Sequence, residues 1–314
     1  MPNTFLERLN SGTVMVSDGA TGTNYQKMGL GLGVPPEEWV IDEPHNVLAL
    51  HRAFVEAGSD IILTCSFGGT RIRMRDSKYA ERAPEINFRA AQLARQAASQ
   101  RDGVLVGGSL GPTGQLCEPY GELTHDAAVS AYAEQAAALT DGGVDFLILE
   151  TFFALEEAVA AIEGVKRASA LPLVVSFSYD QGTRTMMGLR PSQVVAAIAP
   201  LGVAAIGANC GKSLDTMEQI VAELSAQRAG IPLWIKPNAG LPRMVGDVAE
   251  YDISPEMMAA YATRFVRAGA SVVGGCCGST PAHVAAIAQA VKAVAREDAL
   301  PTLSLSETSH DLRG

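Results

Sequence analysis

Apolar segments of four or five residues recur eight times along the chain, at Val14–Ser17, Ile61–Cys65, Val104–Gly108, Phe146–Leu149, Leu173–Phe177, Ala204–Ala208, Leu233–Lys236 and Ser271–Gly274. Their hydrophobicity is nearly continuous and not alternating, as in parallel strands covered on both faces. Between them lie Ala-rich stretches with helical spacing: Asn46–Ala57, Ile86–Ala98, Ala127–Thr140, Leu155–Arg167, Ser213–Ala226, Pro255–Ala268 and Pro281–Ala295. Several end in a glycine step, Ala57-Gly58, Gly142-Gly143 and Ala268-Gly269, the usual helix C-terminal signal. Eight such alternations predict an α/β fold, a single (β/α)₈ barrel over residues 1–298, with a polar C-terminal tail at 299–314.

A barrel of this kind places its site at the C-terminal ends of the strands. Read in order, those ends carry Asp18-Gly19-Ala20-Thr21, Cys65-Ser66-Phe67, Ser109-Leu110-Gly111, Glu150-Thr151, Asn209-Cys210, Lys236-Pro237-Asn238 and Gly275-Cys276-Cys277. Asp18 and Glu150 are two carboxylates on one rim, able to bind an ammonium group or to work as an acid and base pair. Asp18 before a glycine also reads as a plain turn. Thr21 and nearby backbone N–H groups suit a substrate carboxylate, and equally suit a turn.

Cys276 and Cys277 are adjacent, between an apolar strand and a helix start. In a regular strand their side chains would face opposite ways, so joint action requires the chain to leave the strand, which Gly274-Gly275 allow. Ser279 or Thr280 can cap the following helix with Pro281 in its first turn, putting free N–H groups near the thiols. Together with Cys210, three thiolates can hold Zn²⁺ and leave the fourth position open. Buried cysteines with no chemistry, or a redox-active pair, are the competing readings, and the Cys-x-x-Cys spacing of many zinc sites is absent. Cys65 and Cys117 carry no such context.

Composition narrows the rest. With 314 residues, 47% of them hydrophobic and 18% charged, the chain can bury one large core. A net charge of -10 argues against nucleic acid, which demands clustered Lys and Arg. The start, Met1 to Arg8, has no apolar targeting core, and the run Val194–Ala208 is broken by Pro200 and Gly202, too short to span a membrane. A cytoplasmic protein without disulfides is expected, its oligomeric state open and a homo-oligomer compatible.

These motifs closely resemble the homocysteine S-methyltransferase family. The match rests on Asp18-Gly19-Ala20-Thr21-Gly22-Thr23, Glu56-Ala57-Gly58-Ser59-Asp60-Ile61, Gly111-Pro112-Thr113, Glu150-Thr151, Gly207-Ala208-Asn209-Cys210 and Gly274-Gly275-Cys276-Cys277-Gly278, from about residue 12 to 297. The resemblance implies Zn²⁺ on Cys210, Cys276 and Cys277, with the homocysteine sulfur as incoming ligand. It also implies that Asp18 and Glu150 hold the amino group, with Gly19, Thr21, Ser66 and Asn209 as further substrate contacts. Ser66 stands where the family commonly has Thr. The segment Pro237-Asn238-Ala239-Gly240-Leu241-Pro242 looks like the homocysteine module of cobalamin-dependent methionine synthases more than the betaine-using branch. It thereby implies Asn238 as fourth metal ligand before substrate arrives. The expected reaction is methyl transfer to homocysteine, giving methionine, with a methylcorrinoid on a separate protein favoured over a small onium donor. Onium donors call for aromatic faces, and the rim offers few: Tyr25, Trp39, Phe67, Phe152 and Phe153. A non-catalytic, zinc-stabilised thiol-binding module is the reading from another class.

Overall fold

The computed structural model describes residues 4–245 and 248–299. Its strands are β1 (Met15–Val16), β2 (Ile61–Leu63), β3 (Leu105–Leu110), β4 (Phe146–Phe152), β5 (Leu173–Phe177), β6 (Ala205–Cys210), β7 (Leu233–Pro237), β8 (Arg243–Val245), β9 (Val248–Glu250) and β10 (Ala270–Val273). Eight of them form one parallel sheet in the order β1-β10-β7-β6-β5-β4-β3-β2. A bridge between Ser17 and Ile61 joins its two edges and closes the barrel. The helices are α1 (Thr4–Asn10), α2 (Gly22–Lys27), α3 (Trp39–Asp42), α4 (Pro44–Glu56), α5 (Ala83–Ala98), α6 (His125–Asp141) and α7 (Leu155–Ala168). They continue as α8 (Pro191–Ile198), α9 (Leu214–Gln227), α10 (Pro255–Arg267) and α11 (Pro281–Ala299). The (β/α)₈ architecture and all eight strand segments are as the apolar pattern predicts, with ends shifted by at most three residues.

Local chemistry explains the boundaries. Thr124, Ser213 and Ser254 accept the N–H groups of Ala127, Thr216 and Met257 and start α6, α9 and α10. Gly58, Gly143 and Gly269 adopt φ of +105°, +92° and +100°, left-handed turns that end helices ahead of the next strand. The expected cap of α11 is different: the Thr280 N–H is taken by His283 Nδ1, 3.2 Å away, while Ser279 turns away to donate to the Cys276 carbonyl.

Three features escape the periodicity. Helix α1 folds against the N-terminal end of the barrel and sends Phe5 and Leu9 into it, Phe5 stacking on Phe146 at 3.9 Å. Strands β8 and β9 pair as an antiparallel hairpin within the loop after β7. Loop 1, between β1 and α4, folds into short helices latched by Glu37, whose Oε1 accepts the Gly68 N–H at 2.5 Å. The polar tail expected at 299–314 lies, from residue 300 on, outside the described residues. No described helix is long and apolar enough to cross a membrane.

The side chains pointing into the barrel are stacked in layers. Its lower part is apolar, with Phe5, Met15, Phe146, Trp234, Val174 and Val272 fully buried. Gly107 makes room for the Phe146 ring, which a Cβ would approach to 2.5 Å, and Gly207 for the Trp234 backbone, whose carbonyl oxygen a Cβ would approach to 1.9 Å. Two residues further along the same strands, the period of 2 brings Ser109, Glu150, Ser176, Asn209 and Lys236 to the upper layer. The interior thus changes from hydrocarbon to polar within one pleat.

Candidate metal and substrate site

Cys210, Cys276 and Cys277 come together from β6 and the loop after β10, with all three Sγ atoms within 4.8 Å of one another and Cys210 to Cys276 at 3.2 Å. Tetrahedral Zn²⁺ with bonds of about 2.3 Å would hold sulfurs roughly 3.8 Å apart, so the cluster needs only small adjustments. Cys210 reaches it because the chain leaves β6 in a left-handed turn, with φ +59° at Cys210 and +82° at Gly211. Thr151 on β4 is also left-handed, at φ +66°. Such conformations are strained for residues other than glycine and persist only where neighbours enforce them.

Asn209 does the enforcing. Its Oδ1 accepts the Thr151 N–H at 2.9 Å and the Ser176 hydroxyl at 2.6 Å. Its Nδ2 donates to Thr151 Oγ1 at 2.6 Å and lies 3.6 and 3.8 Å from the Cys210 and Cys276 sulfurs. Asn209 therefore supports the thiols from below, and it does not line the cavity as a substrate contact would. Asn238 packs on the same turn, donating from Nδ2 to the Gly211 carbonyl at 2.9 Å, while its buried Oδ1 has no partner. A buried amide oxygen left free on a residue bonded to the turn that carries Cys210 fits a metal ligand.

The thiols shift one another's ionisation through their mutual hydrogen bonds. Hydrogen bonds with Cys210 and Cys277, aided by the charge of Lys236 and by Asn209, hold Cys276 well below the usual thiol range. The hydrogen bond with Cys276 correspondingly pushes Cys210 up. Tyr251, from the end of the β8–β9 hairpin, lies so close to Gly278 that a Cβ there would fall 2.2 Å from its ring. Burial and the nearby cysteines raise its hydroxyl to about 12. Neither Asn209's supporting role nor the nearness of Tyr251 was legible in the motifs.

Beside the cysteines opens a cavity of about 600 Å³, lined by Gly19, Thr21, Ser66, Glu150, Cys210, Cys276 and Cys277 among others. Seven residues expected at the site thus line one cavity. Gly19 is there because a Cβ would strike Phe54 at 2.8 Å and Ser279 Oγ at 2.9 Å. Ser66 is held between Thr64, at 2.5 Å, and the Ser109 carbonyl, at 2.8 Å.

The two carboxylates are not equivalent. Glu150 faces the cavity and accepts the Ser109 hydroxyl at 2.5 Å, and burial raises its carboxyl to about 7 against the lowering influence of Lys236. Asp18 is 1% exposed and lies behind the lining, its Oδ1 accepting Lys236 Nζ at 2.7 Å and its Oδ2 the Leu63 N–H at 2.7 Å. Lys236, a strand-end residue for which the motifs imply no role, also lines the cavity. Its signal was a lone cation closing the strand Leu233-Trp234-Ile235-Lys236.

Residues 15–291 match the model of the homocysteine S-methyltransferase family. The chain belongs to that family. Methionine synthases of Mycobacterium leprae and Mycobacterium tuberculosis are 33% and 32% identical to it, over 88% and 91% of this chain. The chain spans about a quarter of their length, 24% and 25%. The metallated homocysteine methyltransferase MmuM from Escherichia coli superposes with a TM-score of 0.77 at 24% identity, covering 91% of this chain and 99% of that one. That likeness shows the barrel fold, while the cysteine cluster is read from this chain's own geometry.

Proposed function

We propose that the chain methylates the thiol of homocysteine to give methionine, using Zn²⁺ held by Cys210, Cys276 and Cys277, with Asn238 as fourth ligand before substrate binds. The observation that carries this reading is the convergence of three sulfurs within 4.8 Å on the wall of a cavity that also presents Glu150. Bound there, Zn²⁺ supplies Lewis acidity that lets an arriving thiol lose its proton near neutral pH yet keep a nucleophilic sulfur. The chain's own groups do the rest. Glu150 takes the substrate ammonium in a charge-assisted contact. Asp18, expected to share that ammonium, is committed to Lys236 and acts through it. Gly19, Thr21 and Ser66 shape the wall against which the substrate stem is oriented, and the walls keep bulk water from the reacting sulfur.

The favoured donor is a methylcorrinoid on a separate protein. Its support is the Asn238 segment and the cavity lining, where Phe67 is the one aromatic among the described residues and its face already carries the Arg73 guanidinium at 5.3 Å. Of the other rim aromatics, Tyr25, Trp39 and Phe152 are buried in the core, none above 8% exposure. On the loops that follow β1, β3, β5 and β7, Leu32, Leu116, Tyr120, Met186, Leu241 and Met244 stand 40–72% exposed, apolar surface at the strands' C-terminal end that suits a docking protein. A cytoplasmic setting, where thiols stay reduced, belongs to the same reading. The test supplies zinc-loaded protein and homocysteine with methylcobalamin, S-methylmethionine or glycine betaine in parallel, and measures methionine. Turnover from methylcobalamin is expected; turnover from an onium donor alone would overturn the choice of donor, and none from any donor would overturn the reading.

A further inference from the structure

Lys236 is 2% exposed, projects from β7 into the polar upper layer and lines the same cavity as Glu150 and the three cysteines. Its Nζ has three protons, of which Asp18 Oδ1 at 2.7 Å accepts one, the sole partner found for it among the described residues. Asp18 is engaged in turn by three donors, Ser17 Oγ, Leu63 N and Lys236 Nζ, so it fixes the ammonium in place. Glu150 lines the same cavity without an ion pair within 4.0 Å to Lys236. An ammonium and a carboxylate therefore stand apart on one surface, next to the thiols: the complement of a zwitterionic head group whose own thiol points at the cysteines.

We propose that Lys236 binds the α-carboxylate of the thiol substrate, with Asp18 as its positioning residue, and makes the cavity selective for free α-amino acid thiols. The inference rests on the functional reading above and assigns a specificity residue within it. A buried ammonium facing a cavity demands an anion at its remaining protons, and a substrate carboxylate supplies one at no cost in new desolvation of the lysine. The same contact turns the amino acid so that its ammonium meets Glu150, leaving the side-chain sulfur directed at Cys210, Cys276 and Cys277.

The test is calorimetric binding to the zinc-loaded protein with two probes, L-homocysteine and 3-aminopropane-1-thiol, which is homocysteine without its carboxylate. The wild type is expected to prefer homocysteine by about 10- to 100-fold, the range of one charged hydrogen bond. Lys236→Met should erase that preference while holding zinc content, and should leave the affinity for the aminothiol within about twofold. Because Lys236→Met leaves Asp18 buried without its partner, the Asp18→Asn/Lys236→Met double variant serves as a second arm and must lose the same selectivity. Lys236→Arg, which keeps the charge, should restore part of it. Equal losses for both probes, or a wild type that binds them alike, would overturn the assignment. A wild type that binds no homocysteine at all overturns the functional reading and this inference together, a distinct signature.

Discussion

The lower and upper layers of the barrel interior are built by the same strands, two residues apart, and they do opposite work. Below, Trp234, Phe146 and Phe5 close the interior with rings 3.9 and 5.7 Å apart, and nothing there can titrate. Above, Lys236 follows Trp234 on β7, and Glu150 comes two residues after Ile148 on β4, both buried and both charged or chargeable. The lower layer supplies stability through area removed from water. The upper layer gives some of that up, holding charges away from water so that a substrate can meet them. The pairing rules differ accordingly: Trp234 Nε1 is left without a partner in the hydrocarbon layer, whereas Lys236 and Glu150 are both engaged.

That division can be broken in either direction. The largest effect is expected at the thiols: Cys277→Ala should remove zinc and lower methionine formation by about three orders of magnitude or more, with the stability of the metal-free protein changed by no more than about 1 kcal/mol. Metal analysis and thermal unfolding check this, and full zinc occupancy would remove Cys277 from the ligand set. Trp234→Ala is the converse. Loss of a buried indole from the lower layer should cost about 3–5 kcal/mol in urea unfolding, while the protein that remains folded keeps its zinc and its homocysteine affinity. A Trp234 variant that stayed stable but lost homocysteine would show that the two layers are not separable.

Glu150 gives a pH-dependent test. Burial raises its folded-state carboxyl to about 7, against about 4.3 in an unfolded chain. The folded protein therefore holds a proton there that the unfolded chain has released. That contribution to stability is complete below the unfolded value and is lost as pH rises through about 7. Glu150→Gln should make the metal-free protein more stable than wild type at pH near 8, by on the order of 3 kcal/mol, and confer no such gain near pH 4. The same variant should weaken homocysteine binding by roughly 1.5–3 kcal/mol. Identical stability differences at both pH values would place Glu150 in water and outside the buried layer.

The smallest expected effect concerns Ser109. Its hydroxyl donates to Glu150 Oε1 at 2.5 Å and favours the charged carboxylate. Ser109→Ala should push the Glu150 carboxyl further up and weaken homocysteine binding at neutral pH by about 1 kcal/mol, with little change well above that range. Titration calorimetry across pH resolves this, and a loss that did not depend on pH would argue for a steric role.

The barrel itself was legible in the chain because its causes are local. Continuous apolar runs bury on both faces, helices end at glycines with positive φ, and eight repeats leave few topologies open. The thiols were legible too, as an adjacent pair at one strand end and a third cysteine at another, since the fold puts all strand ends on one rim. Pairing across the barrel was not. Asp18 and Lys236 are 218 residues apart, so nothing local in the sequence says that the aspartate expected to face substrate is bound to the lysine that does. Asn209 likewise sits beside Cys210 in the chain, yet its support of Cys276 depends on two strand ends converging. Sequence by itself determined the periodicities, the turns and which residues could carry charge or sulfur. The tertiary structure alone decided which charges neutralise one another and which remain facing the cavity, because the electrostatics of a buried group depend on neighbours within a few ångströms, whatever their separation along the chain.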